Sequence, residues 1–454
     1  MSIVSIIIAI LILSVCVIVH EFGHFILARK NGVFVKEFSV GFGPRIISHV
    51  SKKSGTRFSL KAILFGGSCT MLGMYEDEDS FEEDENGNLI IPDEPKVKDE
   101  RSFESKSVWA RMSIVLAGPV FNFFLAFVLA VIYISVLGYD PAEVTSVTEG
   151  SAAAEAGLEE GDIITNYNGK KINFGREIYL ENYLHPLDED TGEMTITYLR
   201  DGEKYTITLT PTKSEYYYMG FSYYANSDPA EIAEITDGSP LDEAGLREGD
   251  IITSINGYEI SSGEELEAYF SENPLTSETV TITYERKGAS LTAQVTPEAA
   301  YTYLLGFSYN LKDQKTDALG VLRYSVAEVK YQITSVLKSL AYMFSGNASL
   351  DDLAGPVGIV SIVDDTYEAT SSYGAVYVVM SMISLTMLIT ANLGVLNLLP
   401  IPALDGGKFV LLVIEAIRGK PLKKKYEGII TMIGALFIII LAVIVLVNDV
   451  VNLF

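Results

Sequence analysis

Apolar residues gather in four uncharged runs, residues 3–19, 113–137, 374–399 and 428–448, which are 17, 25, 26 and 21 residues long. Each is close to or above the roughly 20 apolar residues that a helix needs to cross a bilayer core, so the pattern predicts four transmembrane helices. The first run has no basic stretch ahead of it and no small-residue cleavage site behind it, and it reads as a span rather than a signal peptide. Between the second and third runs the period changes to two. Glu193-Met-Thr-Ile-Thr-Tyr-Leu199 and Thr279-Val-Thr-Ile-Thr-Tyr-Glu285 alternate as strands, with turns at Asp201-Gly202 and Lys287-Gly288. Residues 151–155 and 240–244 read as short helices, each ended by a glycine just past its C-terminus, Gly157 and Gly245. Further on, Leu319, Leu322, Val326, Val329, Ile333, Val336, Leu337 and Leu340 recur at spacings of three and four. They predict an amphipathic helix over 316–344, set on the outer membrane surface, against the strand-rich segment, or acting as a plain connector.

Charge orients these elements. A mean hydropathy of +0.27 alongside 20% charged residues excludes a purely soluble enzyme, and a net charge of −26 argues against nucleic acid as a partner. Residues 29–111 hold 13 Lys and Arg, and residues 408–425 hold 6, including Lys423, Lys424 and Lys425 just before the fourth run. The long segment 138–373 holds only 14, against 40 acidic residues. The positive-inside rule then places the two basic loops in the cytoplasm, and both termini and the acidic segment outside. The acidic run 76–85 reads as a solvated cytoplasmic loop. Cys16 and Cys69 offer no disulfide framework.

The outer segment is a repeat. Gly150-Ser-Ala-Ala-Ala-Glu-Ala-Gly-Leu-Glu-Glu-Gly-Asp-Ile-Ile returns as Gly238-Ser-Pro-Leu-Asp-Glu-Ala-Gly-Leu-Arg-Glu-Gly-Asp-Ile-Ile, and Gly220-Phe-Ser-Tyr223 returns as Gly306-Phe-Ser-Tyr309. A period of 86 to 88 residues suits two copies of one small domain. The run resembles bacterial PDZ domains, twice over. Such domains take extended peptides at a sheet edge, so peptide ligands are implied, with spacers or steric filters as the other reading.

At the inner end of the first run stands His20-Glu21-Phe22-Gly23-His24. On a helix, His20 and His24 share a face one turn apart and can bind one metal, with Glu21 close enough to work on water. Ionisable groups inside a span are expensive and usually functional. Zinc wants a third protein ligand and one open position. His49 lies in a basic loop with no partner motif, and His185 lies across the membrane. Asp405, in Asn397-Leu-Leu-Pro-Ile-Pro-Ala-Leu-Asp-Gly-Gly407, follows the third run at the depth of His24 and is the better candidate. Prolines there break the helix, and the glycines are expected to let backbone approach the metal.

HEFGH in the first run, NLLPIPALDGG after the third, and a PDZ-like pair between the second and third together resemble the site-2 protease family, most of all its bacterial RseP-type members. Gly41-Phe-Gly-Pro44, Phe65-Gly-Gly67, Arg101-Ser-Phe103, Ala117-Gly-Pro-Val-Phe-Asn-Phe123 and Ala354-Gly-Pro-Val-Gly-Ile359 fit the same family. The resemblance implies an intramembrane zinc endopeptidase that cleaves transmembrane segments of single-span membrane proteins, such as anti-sigma factors or signal-peptide remnants. It implies one Zn²⁺ on His20, His24 and Asp405, with Glu21 as catalytic base. Substrate backbone is expected at Asn122, Asn392, Asn397, Pro400, Pro402, Gly66 and Gly67, with interhelical packing as the other reading of Asn122 and Asn392. Where relatives often carry tyrosine after the paired glycines, this chain has Ser68.

The implied fold is a polytopic α-helical membrane protein of four spans, with a membrane-associated β-sheet and two extracytoplasmic β-rich PDZ domains. The resemblance also implies a place in the bacterial inner membrane. Residues 1–28 form the first span, 29–112 the cytoplasmic-side loop and β region with an acidic insertion at 75–95, and 113–137 the second span. The PDZ domains are expected at 140–226 and 227–312, an amphipathic helix and connector at 313–372, and the third span with the LDGG motif at 373–407. A cytoplasmic loop, 408–427, and the fourth span, 428–454, complete the chain. Two alternatives compete. A catalytically inactive scaffold that recruits partners through its PDZ pair is disfavoured by intact HExxH and LDGG motifs. A membrane zinc peptidase for misfolded soluble chains expects a helical Glu ligand downstream and a large soluble catalytic domain.

Overall fold

The computed structural model describes residues 2–74, 82–83, 89–90, 99–188, 190–346 and 355–451. All but four residues of the expected acidic insertion 75–95 lie outside them. The chain divides into two compact units, residues 1–141 with 312–454, and residues 142–311.

The first unit opens with α1 (Ile3–Lys30), started by the Ser2 hydroxyl, which accepts from the Ser5 N–H, and ended with Arg29 and Lys30 at the negative end of its dipole. Next come β1 (Val35–Val50) and β2 (Arg57–Met71), antiparallel and long. Both strands bend, β1 near Gly41 and β2 near Gly66, where φ is +84° and +93°. Residues 35–40 are consequently paired on one side with 67–71 and on the other with 57–60, while 45–50 pair with 57–61. Two short strands, β3 (Glu82–Glu83) and β4 (Leu89–Ile90), precede α2 (Val108–Val136), which is capped by the Ser107 hydroxyl accepting from the Ala110 N–H.

The second unit carries the repeat. Its first copy contains β5 (Val144–Val147), α3 (Ala152–Glu155), β6 (Ile163–Tyr167), β7 (Lys170–Lys171), α4 (Gly175–Leu184), β8 (Met194–Arg200), β9 (Glu203–Leu209), β10 (Thr212–Tyr218) and β11 (Phe221–Tyr223). The second copy repeats the order as β12 (Ile232–Ile235), α5 (Pro240–Glu243), β13 (Ile251–Ile255), β14 (Tyr258–Glu259), α6 (Gly263–Glu272), β15 (Val280–Arg286), β16 (Ala289–Val295), β17 (Glu298–Leu304) and β18 (Phe307–Tyr309). The repeated Gly-Asp has a physical cause. Buried Asp162 accepts from the Glu159 N–H and from the Arg200 guanidinium, and Asp250 does the same with Arg247 and Arg286.

Strand pairing departs from the division expected at 226/227. β10 and β17 pair with each other, after which β11 joins β12 and β18 returns to β5. Phe221 and Tyr223 thus pack on the core of Ile232, Leu241 and Ile252, whereas Phe307 and Tyr309 pack on that of Val144, Ile164 and Ile196. Each copy completes the other's core, so neither 140–226 nor 227–312 contains a whole one.

Back in the first unit, α7 (Ala318–Phe344), α8 (Pro356–Ser371), α9 (Ala375–Asn397), α10 (Asp405–Arg418) and α11 (Lys424–Val451) finish the fold. α1, α2, α9 and α11 are long and apolar enough to cross a membrane. α11 leaves Met432, Ile433, Leu436, Phe437 and Ile439 more than half exposed, an arrangement suited to lipid rather than water. The amphipathic helix expected at 316–344 exists, but its polar face is the buried one. Ser325, Glu328 and Gln332 turn inward where α7 meets α2 and α9, while Leu319, Leu322, Val326 and Leu337 face outward.

Candidate metal centre

His20 and His24 occupy one face of α1, 7% and 6% exposed, and their Nε2 atoms stand 3.2 Å apart. Asp405, the first residue of α10, brings its Oδ2 to 3.1 Å from His20 Nε2 and 3.2 Å from His24 Nε2. Among the described residues these three form the one grouping of His, Cys, Asp and Glu close enough to share an ion. With zinc–nitrogen bonds of ~2.0–2.1 Å, the ligand atoms of a tetrahedral site lie about 3.3 Å apart, and the observed triangle has that size.

The far sides of the rings explain why a cation fits. His24 Nδ1 lies 2.9 Å from the Ile114 carbonyl oxygen, which only accepts, so the ring proton sits there and Nε2 keeps a bare lone pair. His20 Nδ1 lies 3.2 Å from the Asn122 side-chain amide, in the orientation that leaves Asn122 Oδ1 buried without a partner. Turning that amide by 180° makes Oδ1 the acceptor of the Nδ1 proton and removes the orphan. His20 Nε2 is then bare as well. Asp405 Oδ2 also has no hydrogen-bond donor. With the ring protons on Nδ1, His20 Nε2, His24 Nε2 and Asp405 Oδ2 converge as three acceptors, and a positive ion is the partner that satisfies all three.

Small residues make this convergence possible. A Cβ on Gly118 would lie 2.4 Å from His24 Nε2 and 2.7 Å from His20 Nε2, and one on Gly23 would lie 2.3 Å from the Ala117 carbonyl oxygen. The glycines after Asp405 also relieve crowding within their own loop. Cβ atoms on Gly406 and Gly407 would strike the carbonyl oxygens of Leu398, Leu399 and Ile401 at 2.3 Å, so they let the loop close on itself. Pro402 backs onto α11, where a Cβ on Gly434 would meet its carbonyl oxygen at 2.0 Å.

Glu21 faces β2. Its carboxylate takes a hydrogen bond from the Cys69 backbone, and a Cβ on Gly67 would lie 3.6 Å from Glu21 Cγ. Gly66 leaves room for the Phe42 ring. Ser68 is hydrogen-bonded to Ser39 across the strands at 2.8 Å. Asn392 Oδ1 is buried with no partner, Asn397 ends α9 partly exposed, and Pro400 is exposed. His49 is exposed on β1 and outside the cluster, and His185 belongs to the second unit beside Glu181. The Ile114 carbonyl and Gly118 were not foreseen as site groups. A glycine four residues before Asn122 was the available signal for the second, and a main-chain oxygen leaves none for the first.

Comparison with known proteins agrees in kind. Peptidase family M50 matches residues 8–441. "Probable protease eep" of Enterococcus faecalis is 30% identical over 468 residues, covering 99% of both chains. "Regulator of sigma E protease" of Haemophilus influenzae is 30% identical over 459 residues, covering 97% of both, and "Zinc metalloprotease RasP" of Shouchella clausii is 29% identical over 450, covering 98% of both. Among solved structures, the HtrA3 PDZ domain bound to a phage-derived ligand covers 20% of this chain at 20% identity and a TM-score of 0.18, too low to bear on the fold. None of these matches favours an inactive scaffold. The chain belongs to peptidase family M50, the site-2 protease family, and is a zinc metalloprotease.

Proposed function

We propose that the protein cuts transmembrane segments of single-span membrane proteins with one zinc ion held by His20, His24 and Asp405. The observation that carries this reading is the meeting of His20 Nε2, His24 Nε2 and Asp405 Oδ2 within 3.2 Å of one another, at the end of an apolar helix. Zinc there supplies Lewis-acid chemistry, polarising a carbonyl and lowering the pKa of water to about 7. Glu21, one residue from a ligand and hydrogen-bonded in place, accepts the proton of the attacking water and passes it to the leaving amine.

A helical substrate hides its carbonyls in i→i−4 bonds and must open to be cut. Residues 67–71 of β2 pair with β1 on one side only among the described residues, and Glu21 lies beside Gly67. An unwound segment laid along that free edge regains main-chain hydrogen bonds and presents a carbonyl next to the base. The unpartnered Asn392 Oδ1 suits a substrate N–H, and Asn397 and Pro400 border the same loop. Asn122 supports His20, which argues for a role behind the metal rather than against substrate. The basic loops favour both termini and the repeat outside the cell, with cleavage in the cytoplasmic leaflet. Substrates of the anti-sigma-factor or signal-remnant type fit the naming of the Haemophilus relative, and the repeat, read as paired PDZ modules, suits extended peptides from such substrates.

Glu21→Gln is expected to retain zinc and lose cleavage of a model transmembrane substrate, whereas Asp405→Ala loses both. Turnover by Glu21→Gln at the unmodified rate removes the base assignment.

A further inference from the structure

One face of α2 serves all three ligand candidates. Arg111, Ile114, Gly118 and Asn122 follow at spacings of three, four and four, which puts them within about an 80° arc. Ile114 holds His24, Asn122 holds His20, and Gly118 leaves both rings their space. Arg111, the remaining member, reaches the helix that begins with Asp405. Its Nη1 donates to Glu415 Oε2 at 3.0 Å and its Nη2 to Glu415 Oε1, while Nε donates to the Lys106 carbonyl at 3.2 Å. The two side chains are 12% and 14% exposed. Along α10, Asp405, Lys408, Leu412 and Glu415 again share an arc of about 80°. Leu412 sits in the same core as Ile114 and Val115, and Lys408 Nζ donates to the Met74 carbonyl at 3.2 Å.

We infer that the Arg111–Glu415 pair is a positioning device for the third metal ligand, which gives each of the three ligands its own holder on one face of α2. The inference rests on the zinc reading above. Glu415 lies ten residues from Asp405, an arm of about 15 Å. A tilt of about 2° over that arm moves Asp405 by ~0.5 Å, the limit within which a working constellation must be held. A two-pronged guanidinium–carboxylate contact resists both sliding and rotation of α10, which a point charge on a flexible stem does not.

The test uses the full-length protein in nanodiscs. Arg111→Lys, Glu415→Gln and the reversed pair Arg111→Glu with Glu415→Arg are compared with the parent for zinc affinity by chelator competition, for kcat and KM on a transmembrane substrate, and for melting without zinc. The single variants are expected to lose about 10- to 100-fold in zinc affinity and in kcat, with KM nearly unchanged. The reversed pair is expected to recover at least tenfold of each. Single variants that fold and stay within twofold of the parent in affinity and kcat overturn the inference. So does a reversed pair that restores the melting temperature but not zinc affinity, since that pattern marks a purely structural contact. If the parent and Asp405→Ala bind zinc equally, the zinc reading itself fails, an outcome distinct from either.

Discussion

Adding one methyl group at Gly118 tests the site from behind. In an ordinary helix Gly→Ala is stabilising by about 0.5–1 kcal/mol, because alanine loses less chain entropy on folding. Here the new Cβ would stand 2.4 Å from His24 Nε2 and 2.7 Å from both Cε1 and Nε2 of His20. Ordinary contact begins at 3.4 Å, so the His24 nitrogen must retreat by 3.4 − 2.4 = 1.0 Å and the His20 ring by 3.4 − 2.7 = 0.7 Å. Zinc ligands tolerate only about ±0.2 Å around their bond lengths. If α2 backed away instead, the Ile114 carbonyl and the Asn122 amide would lose their contacts of 2.9 and 3.2 Å with the same two rings. Gly118→Ala is therefore expected to bind zinc at least ~100-fold more weakly, about 2.7 kcal/mol, and to turn over at least ~100-fold more slowly. Chelator competition, metal content after purification, and cleavage of a transmembrane substrate read these losses, while melting without zinc shows that the helices still pack. Zinc affinity and turnover equal to the parent's would refute the placement of both imidazoles against this glycine.

Two further outcomes follow from the fold. Residues 142–311 are expected to fold as a soluble piece, whereas 140–226 and 227–312 expressed separately fail to melt cooperatively, because β11 and β18 each leave with the wrong core. Cooperative melting of either half alone would contradict the strand exchange. On the β1–β2 sheet, the Arg45 guanidinium, with help from the Ser59 hydroxyl and Lys61, holds the Glu37 carboxyl down at about 2. Its folded value lies below its unfolded one, so ionised Glu37 stabilises the sheet above about pH 4.5, and that contribution, small for so exposed an arginine, fades as pH falls toward 2. Amide exchange in β1 between pH 6 and 3 is expected to fall more steeply in protection for the parent than for Glu37→Gln, and parallel profiles would exclude the contribution.

What the chain discloses unaided is whatever depends on period or length. The four apolar runs become four long helices because nothing else of that length buries its own backbone bonds in lipid, and His20 with His24 is legible because four residues make one turn. The meeting of Asp405 with His20 and His24 is legible by position, since successive spans alternate in direction and the C-terminal ends of the first and third come to the same side. The strand exchange is not. Gly220-Phe-Ser-Tyr223 and Gly306-Phe-Ser-Tyr309 are nearly the same sequence, so either strand suits either core, and alternation names a strand without naming its sheet. For α7 the period is legible, but period alone does not say which face turns toward α2 and α9, and it is Ser325, Glu328 and Gln332 that are buried there. The crowding that Gly406 and Gly407 relieve is not legible either. Their proximity to Asp405 in sequence suggested the metal, while the crowding they relieve comes from carbonyls six to eight residues back.

Mutual attraction cannot hold the ligand triangle together. With both rings neutral and their protons on Nδ1, two imidazole lone pairs and a carboxylate oxygen at 3.1–3.2 Å repel one another, and inside a low-dielectric site that repulsion is felt strongly. The geometry must be imposed from outside the triangle, by groups whose own interactions do not depend on the metal. Those groups are a backbone carbonyl, a buried amide and a packed helix carrying Leu412, all fastened to the N-terminal half of α2. Main-chain and packing contacts of this kind cost no reorganisation when the ion arrives, so the scaffold stores the repulsion in advance and metal binding releases it. On the proposed zinc reading, a span that contributes no ligand is then as necessary to zinc affinity as the two helices that do.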